Sequence, residues 1–136
     1  MGVMNLQIKA KYNFEVARYA ERKQYYDVAI SRFYYYMYQN IMYYTRFNKI
    51  YIDKKYNGNL HIRTLGIFIK DLRTRFDLNP DEISAINKLQ KLRIIRNSAD
   101  YHDDIKDKIS YEKEFKDVFN DLNEIFINKL KLWKGR

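Results

Sequence analysis

Apolar residues recur every three or four positions along almost the whole chain, and nowhere do they alternate strictly with polar ones. That period belongs to amphipathic helices, not to half-buried strands. It predicts a first helix over roughly Asn5 to Lys23 and a longer second one over roughly Tyr25 to Tyr51. In the second, Tyr26, Ala29, Phe33, Tyr36, Met37, Asn40, Ile41 and Tyr44 form one stripe, while Tyr34, Tyr35, Tyr38 and Met42 lie off it. A helix that is apolar nearly all round is either central in a bundle or covered by a second chain.

The stretch Asp53 to Asn59 reads as a loop with Asn57-Gly58 as its turn. A third helix is expected from His61 to Phe76, with Leu65, Phe68, Ile69, Leu72 and Phe76 on one face. "DLNPDE" then stops and restarts the chain. Asn79 can cap, Pro80 suits the first helical position and Glu82 can reach back to the cap. The fourth helix therefore starts at Pro80 and is expected to run to Ala99 or Asp100, with "YHDDIKD" as the break after it. Asp107 or Ser110 can cap a fifth helix, whose stripe is Phe115, Val118, Phe119, Leu122, Ile125, Phe126 and Leu130. Five helices with mostly short links imply an all-α fold, an antiparallel helical bundle formed by one domain over residues 1–136.

Composition narrows the chemistry. There is no cysteine, which removes disulfides and thiolate metal sites and fits a reducing compartment. Met1-Gly2 is followed by Leu at position 6, so a myristoylation motif is not met. No basic-then-apolar leader and no membrane-length apolar run are present, so the expected location is cytoplasmic, away from membranes. The net charge of +9 creates a field that attracts phosphates, although the many Lys, Asn, Ile and Tyr residues are also what an AT-rich genome would encode.

With two histidines and no paired acidic motif, no metal site and no cofactor are expected. What remains is "LRIIRNSADYHDD", Leu92 to Asp104, where Arg96, Asn97, Asp100, Tyr101 and His102 gather at a helix end. A histidine exchanges a proton near neutral pH, and an arginine holds a phosphate through paired hydrogen bonds. Together they suit metal-free cleavage of an RNA phosphodiester, in which the neighbouring ribose hydroxyl is the nucleophile. Six residues on a continuous helix turn about 600°, leaving Arg96 and His102 about 120° apart. Convergence therefore requires the helix to end between them, or a second chain to supply one group. His61 reads as a helix-starting residue, and Lys91, Arg93 and Lys88 as a basic rim for RNA or a solvated face. The tyrosine-rich second helix reads as core and dimer interface before it reads as a base-stacking platform.

Two blocks resemble the HEPN domain family. "ARYAERKQYYDVAISRFYYYMYQNIMYYTR", Ala17 to Arg46, is similar to its paired N-terminal helices. "LRIIRNSADYH", Leu92 to His102, is similar to the end of its penultimate long helix, where an Arg, a polar residue and a later His stand, and "ADY" is typical of one subgroup. "HIRTLGIFIKDLRTRF" also looks like the family's third helix, and the likeness spans about Asn13 to Trp133. The resemblance implies a homodimeric, metal-independent endoribonuclease of toxin–antitoxin or phage-defence type, its Arg–His motifs paired across the dimer. Arg96 would then be the phosphate-binding catalytic residue and His102 the catalytic His. Asn97, Asp100 and Tyr101 would support them, and Lys91 and Arg93 would contact RNA. Members of the "ADY" subgroup that lack the His leave another role open, a non-catalytic module that binds a partner such as a nucleotidyltransferase antitoxin, or a nucleotide. A plain RNA-binding helical protein is the third reading.

Overall fold

The computed structural model describes residues 3–50, 52, 60–101 and 106–131. The expected loop Asp53 to Asn59, His102 and Trp133 lie outside the described residues. In chain order the elements are α1 (Val3–Arg22), α2 (Tyr26–Phe47), α3 (Leu60–Arg75), α4 (Pro80–Ile86), α5 (Leu89–Tyr101), a single turn α6 (Lys108–Ser110), a π-helical segment (Tyr111–Lys116) and α7 (Asp117–Asn128). No strand occurs among the described residues. The pieces form five helical bodies, because only Asn87 and Lys88 separate α4 from α5, and α6, the π segment and α7 run on without interruption.

The first two helices make a hairpin. The chain reverses at Lys23 to Tyr25, with Gln24 in the left-handed region (φ 63°). Ala10, Ala17 and Ala20 of α1 are buried, and these small side chains let α1 lie close along α2. Phe14 fills the space between them, edge-on to Phe33 at 5.5 Å and to Tyr36 at 4.8 Å. The second helix ends at Phe47, short of the expected Tyr51. Asn48 donates its side-chain amide to the Tyr44 carbonyl at 2.9 Å, and Lys49 turns left-handed (φ 56°), which closes the helix with a backbone cap.

α2 is central in the bundle. The expected stripe is buried, and so are Tyr34 and Tyr38 from the opposite side; Tyr35 and Met42 are half-buried. Each face of α2 has its own cover: α1 on one side, Phe119 of α7 against Phe33 at 4.6 Å on another, and α3 and α5 on the third.

The capping box at Asn79 forms as the sequence implies, with Asn79 Oδ1 accepting from the Glu82 amide at 2.8 Å and Glu82 accepting from the Asn79 amide at 3.0 Å. The expected single helix from Pro80 to Asp100 is instead broken at Asn87 and Lys88, where the Lys88 amide bonds three residues back to the Ala85 carbonyl. The two halves have different work. α4 packs Ala85 and Ile86 toward α7, whereas α5 packs Leu89, Leu92 and Ala99 toward α2 and α3. A straight rod would not serve both surfaces, and a tight turn re-phases the second half.

Asp107 is the cap of the last body, accepting from the Ser110 amide at 2.7 Å. The π segment that follows gives no sign in the sequence, and its reason is a carboxylate on α1. Glu21 Oε2 accepts from both the Tyr111 hydroxyl and the Lys116 ammonium. Five residues on an α-helix turn about 500°, which would splay those two side chains about 140° apart. The wider π turn bonds i to i+5 and sets them on one side. Burial, and then the neighbouring Glu21 carboxylate, push the Tyr111 hydroxyl far above its ordinary pKa, so it stays a donor. Replacing Glu21 by Ala leaves this hydroxyl, on a residue 2% exposed, without its acceptor. The expected loss is about 1–3 kcal/mol in urea unfolding, with Glu21→Gln losing less; an Ala variant as stable as the parent would refute this clamp.

Candidate functional site

Arg96 sits where the pattern of α5 calls for an apolar residue. It follows Leu89 and Leu92 and precedes Ala99 on the buried stripe, and it is only 6% exposed. A charge there must be compensated, since an unpaired ion in a core is costly. Two tyrosines of α2 supply part of the compensation. The guanidinium carbon lies 4.9 Å from the ring centre of Tyr34 and 5.3 Å from that of Tyr35, within cation–π range. One terminal nitrogen donates to the Tyr35 hydroxyl at 3.3 Å and to Asp100 Oδ2 at 3.4 Å. Both bonds are long, and the Nε proton is buried with no partner among the described residues.

His61, the second residue of α3, joins the same cluster. Its ring stacks on Tyr38 with centroids 3.8 Å apart and planes within 4°. Its Nδ1 lies 2.9 Å from the Tyr34 hydroxyl, so one tyrosine touches both Arg96 and His61. The start of α3 is tied to α5 as well: Gln90 donates to the Ile62 carbonyl at 2.9 Å and accepts from Arg93 Nε at 3.0 Å. Burial lowers the His61 pKa, and the charges of Arg96 and Arg93 lower it further, so the imidazole is neutral near pH 7. Burial raises Tyr34 well above the ordinary phenol value, against the opposing pull of Arg96, and it raises Tyr38 too. The cluster thus joins a fixed guanidinium, a neutral imidazole and neutral phenols.

The residues singled out by sequence fall into distinct groups. Asp100 is ion-paired with Arg96, four residues before it on α5, at 3.4 Å. Asn97 is half-exposed and makes no hydrogen bond to Arg96 among the described residues. Tyr101 is 78% exposed. Lys91 is exposed, while Arg93 is half-buried and donates to Gln90. α5 is described as far as Tyr101, and the expected break after it, like His102, lies outside the described residues. Among the described residues, the histidine that shares a cluster with Arg96 is His61, which the sequence presents only as a helix start. Its signal was indirect: Tyr34 and Tyr38 are i,i+4 neighbours on α2, off the main stripe, and buried phenols there need polar company.

Among the described residues no three His, Cys, Asp or Glu side chains gather as a metal-ligand group. A groove of about 410 Å³ between α4 and α7 is lined by Asp81, Glu82, Asp121 and Glu124 with Lys88, the wrong sign of charge for a phosphate. No helix among the described residues is long and apolar enough to cross a membrane. Comparison with known protein families, curated proteins and solved structures finds no match to this chain.

The depressed His61 pKa has a consequence for stability. Below its ordinary value of 6.5 the unfolded chain takes up a proton that the folded site resists, so stability falls as pH drops through that value. Above it both states are neutral and the contribution vanishes. The melting temperature should therefore drop more steeply for wild type than for His61→Gln between about pH 7.5 and about pH 5.5. Equal drops would show that His61 titrates as it does in the unfolded chain.

Proposed function

We propose that this chain is a metal-independent endoribonuclease of HEPN type, acting in a toxin or phage-defence role as a homodimer. The observation that supports the reading best is the Arg96 guanidinium, fixed on two tyrosine rings, with long bonds from one nitrogen and an Nε that has no partner among the described residues. A phosphate offers two oxygens to such a fork and satisfies what Asp100 and Tyr35 leave weak. As the ribose 2′-oxygen attacks phosphorus, negative charge builds on the phosphoryl oxygens, and a preorganised guanidinium stabilises that charge. His102 is the general base or acid of this reading, and a second copy brings its counterpart. The +9 charge favours RNA as partner, and DNA is excluded because it lacks the attacking hydroxyl.

A second reading draws on the same burial. An arginine 6% exposed and ion-paired to Asp100 is also a structural pin, as expected of a non-catalytic module that docks a nucleotidyltransferase antitoxin or holds a nucleotide.

Cleavage of a mixed RNA pool in EDTA separates the two. Wild type should cut, and His102→Ala and Arg96→Lys should each cut about 100-fold more slowly or worse, with circular dichroism melts showing folded protein. Lys keeps the charge but not the fork, so its loss of activity reports bidentate phosphate binding. Absence of cleavage by wild type, or equal cleavage by all three, rejects the enzyme and leaves the docking module.

A further inference from the structure

We propose that the pocket at the C-terminal end of α2, walled by Tyr43, Phe47 and Phe76 under a rim of Arg75, Lys129 and Lys131, takes one unpaired nucleobase of a single strand, stacked on the Phe47 ring. The inference rests on the ribonuclease reading in one respect, that the strand carrying this base is the RNA to be cut.

Three observations carry it. First, there is room. A cavity of about 290 Å³ opens where the C-terminal ends of α2, α3 and α7 meet. That lies at the lower end of the roughly 300–1,000 Å³ of ligand pockets, a size for one flat base and not for a large cofactor. Second, there is a platform. Phe47 is 65% exposed, and of the chain's eight phenylalanines it alone is exposed. Its ring is backed by Tyr43, with centroids 5.7 Å apart and planes within 23°, and Tyr43 is itself packed against the core. A ring held in this way offers a face for stacking at little ordering cost.

Third, the charges select the ligand. Arg75 is paired with Asp71 at 2.9 Å, and Lys129 lies 3.8 Å from Glu82. The rim's three cations thus face two carboxylates and three helix ends worth about half a negative charge each, and the two sides nearly cancel. Such a pocket is no cradle for a free phosphate, and it admits a neutral, flat body. Outside it Arg46, Lys49 and Arg73 are exposed near the ends of α2 and α3, where they attract the phosphodiester chain that the base belongs to. An apolar side chain of a protein partner would fill the same volume and gain nothing from those cations.

The pocket is separate from the Arg96 cluster. Phe47 stands 12 residues beyond Tyr35 on α2, about 18 Å along the helix axis. A base held at Phe47 therefore belongs to a different nucleotide from the one at Arg96. Duplexes are excluded, because their bases are already stacked and paired.

The test is binding of a short fluorescent oligodeoxyadenylate to the full chain, followed by anisotropy. This probe lacks the attacking hydroxyl and stays intact, so the result does not depend on cleavage. Phe47→Ala should weaken binding about ten-fold or more, the size of effect that loss of one base–aromatic stack produces. Phe47→Leu should be as weak as Phe47→Ala, and Phe47→Trp should bind at least as tightly as wild type. Binding of a blunt duplex should be the same in all four proteins. No binding by wild type, unchanged binding by Phe47→Ala, or full binding by Phe47→Leu, which would mark an apolar contact in place of stacking, each overturns the proposal. If wild type binds through Phe47 and cuts no RNA, the ribonuclease reading fails and the base pocket stands. If wild type cuts RNA and Phe47→Ala binds as it does, the pocket fails and the ribonuclease reading stands.

Discussion

Burial of one guanidinium constrains much of this molecule. Arg96 takes a core position of α5, and the cost of removing that charge from water is offset by ring faces, a phenol and a carboxylate. The arrangement requires α2 to present Tyr34 and Tyr35 at adjacent positions and α5 to lie directly over them. It also sets the electrostatics of α3, since His61 reaches the same tyrosine and loses its proton partly because Arg96 is there. Three helices are thereby joined at one point that is polar, charged and largely dry.

The rest of the bundle repeats the theme in neutral form. The chain has 14 tyrosines, and several bury the ring while sending the hydroxyl to a different helix. Tyr36 of α2 donates to Asn123 of α7, Tyr38 reaches Thr64 of α3, Tyr44 donates to Asp71 of α3, and Tyr111 donates to Glu21 of α1. A phenylalanine would contribute the same apolar area without choosing a partner. The hydroxyls convert a general preference for burial into specific pairings between helices. This explains how α2 can be surrounded by neighbours on all sides and still hold one register against each.

The periodic stripes were legible in the sequence, as the burial of Phe33, Met37, Leu65, Phe68, Phe119 and Leu122 shows, and so was the capping box at Asn79. Short-range chemistry determines both, through spacing along a helix and the hydrogen-bonding reach of an Asx side chain. The break at Asn87 was not legible, because it arises from α4 and α5 packing on different neighbours. Arg96 could be picked out as chemistry, while its position on the buried stripe of α5 with Leu89 and Leu92 went unread. Tyr101 and Asn97, close to Arg96 in sequence, are exposed and half-exposed respectively. The place of His61 depends on a contact between residues 27 positions apart, Tyr34 and His61, and local pattern carries no information at that range.

The π segment makes the fold respond unevenly to changes of length. Its register lets Tyr111 and Lys116 share the Glu21 carboxylate across a spacing of five. Removing one residue from Glu112 to Glu114 would relax the stretch into an ordinary α-helix, on which the same two side chains stand four positions apart, about 40° from one another and still on one side. Adding one residue would set them six positions apart, about 120° from one another on an α-helix. A single-codon insertion is therefore the change that would unlatch α1 from the last helix while leaving each helix intact, and a single-codon deletion is the milder event.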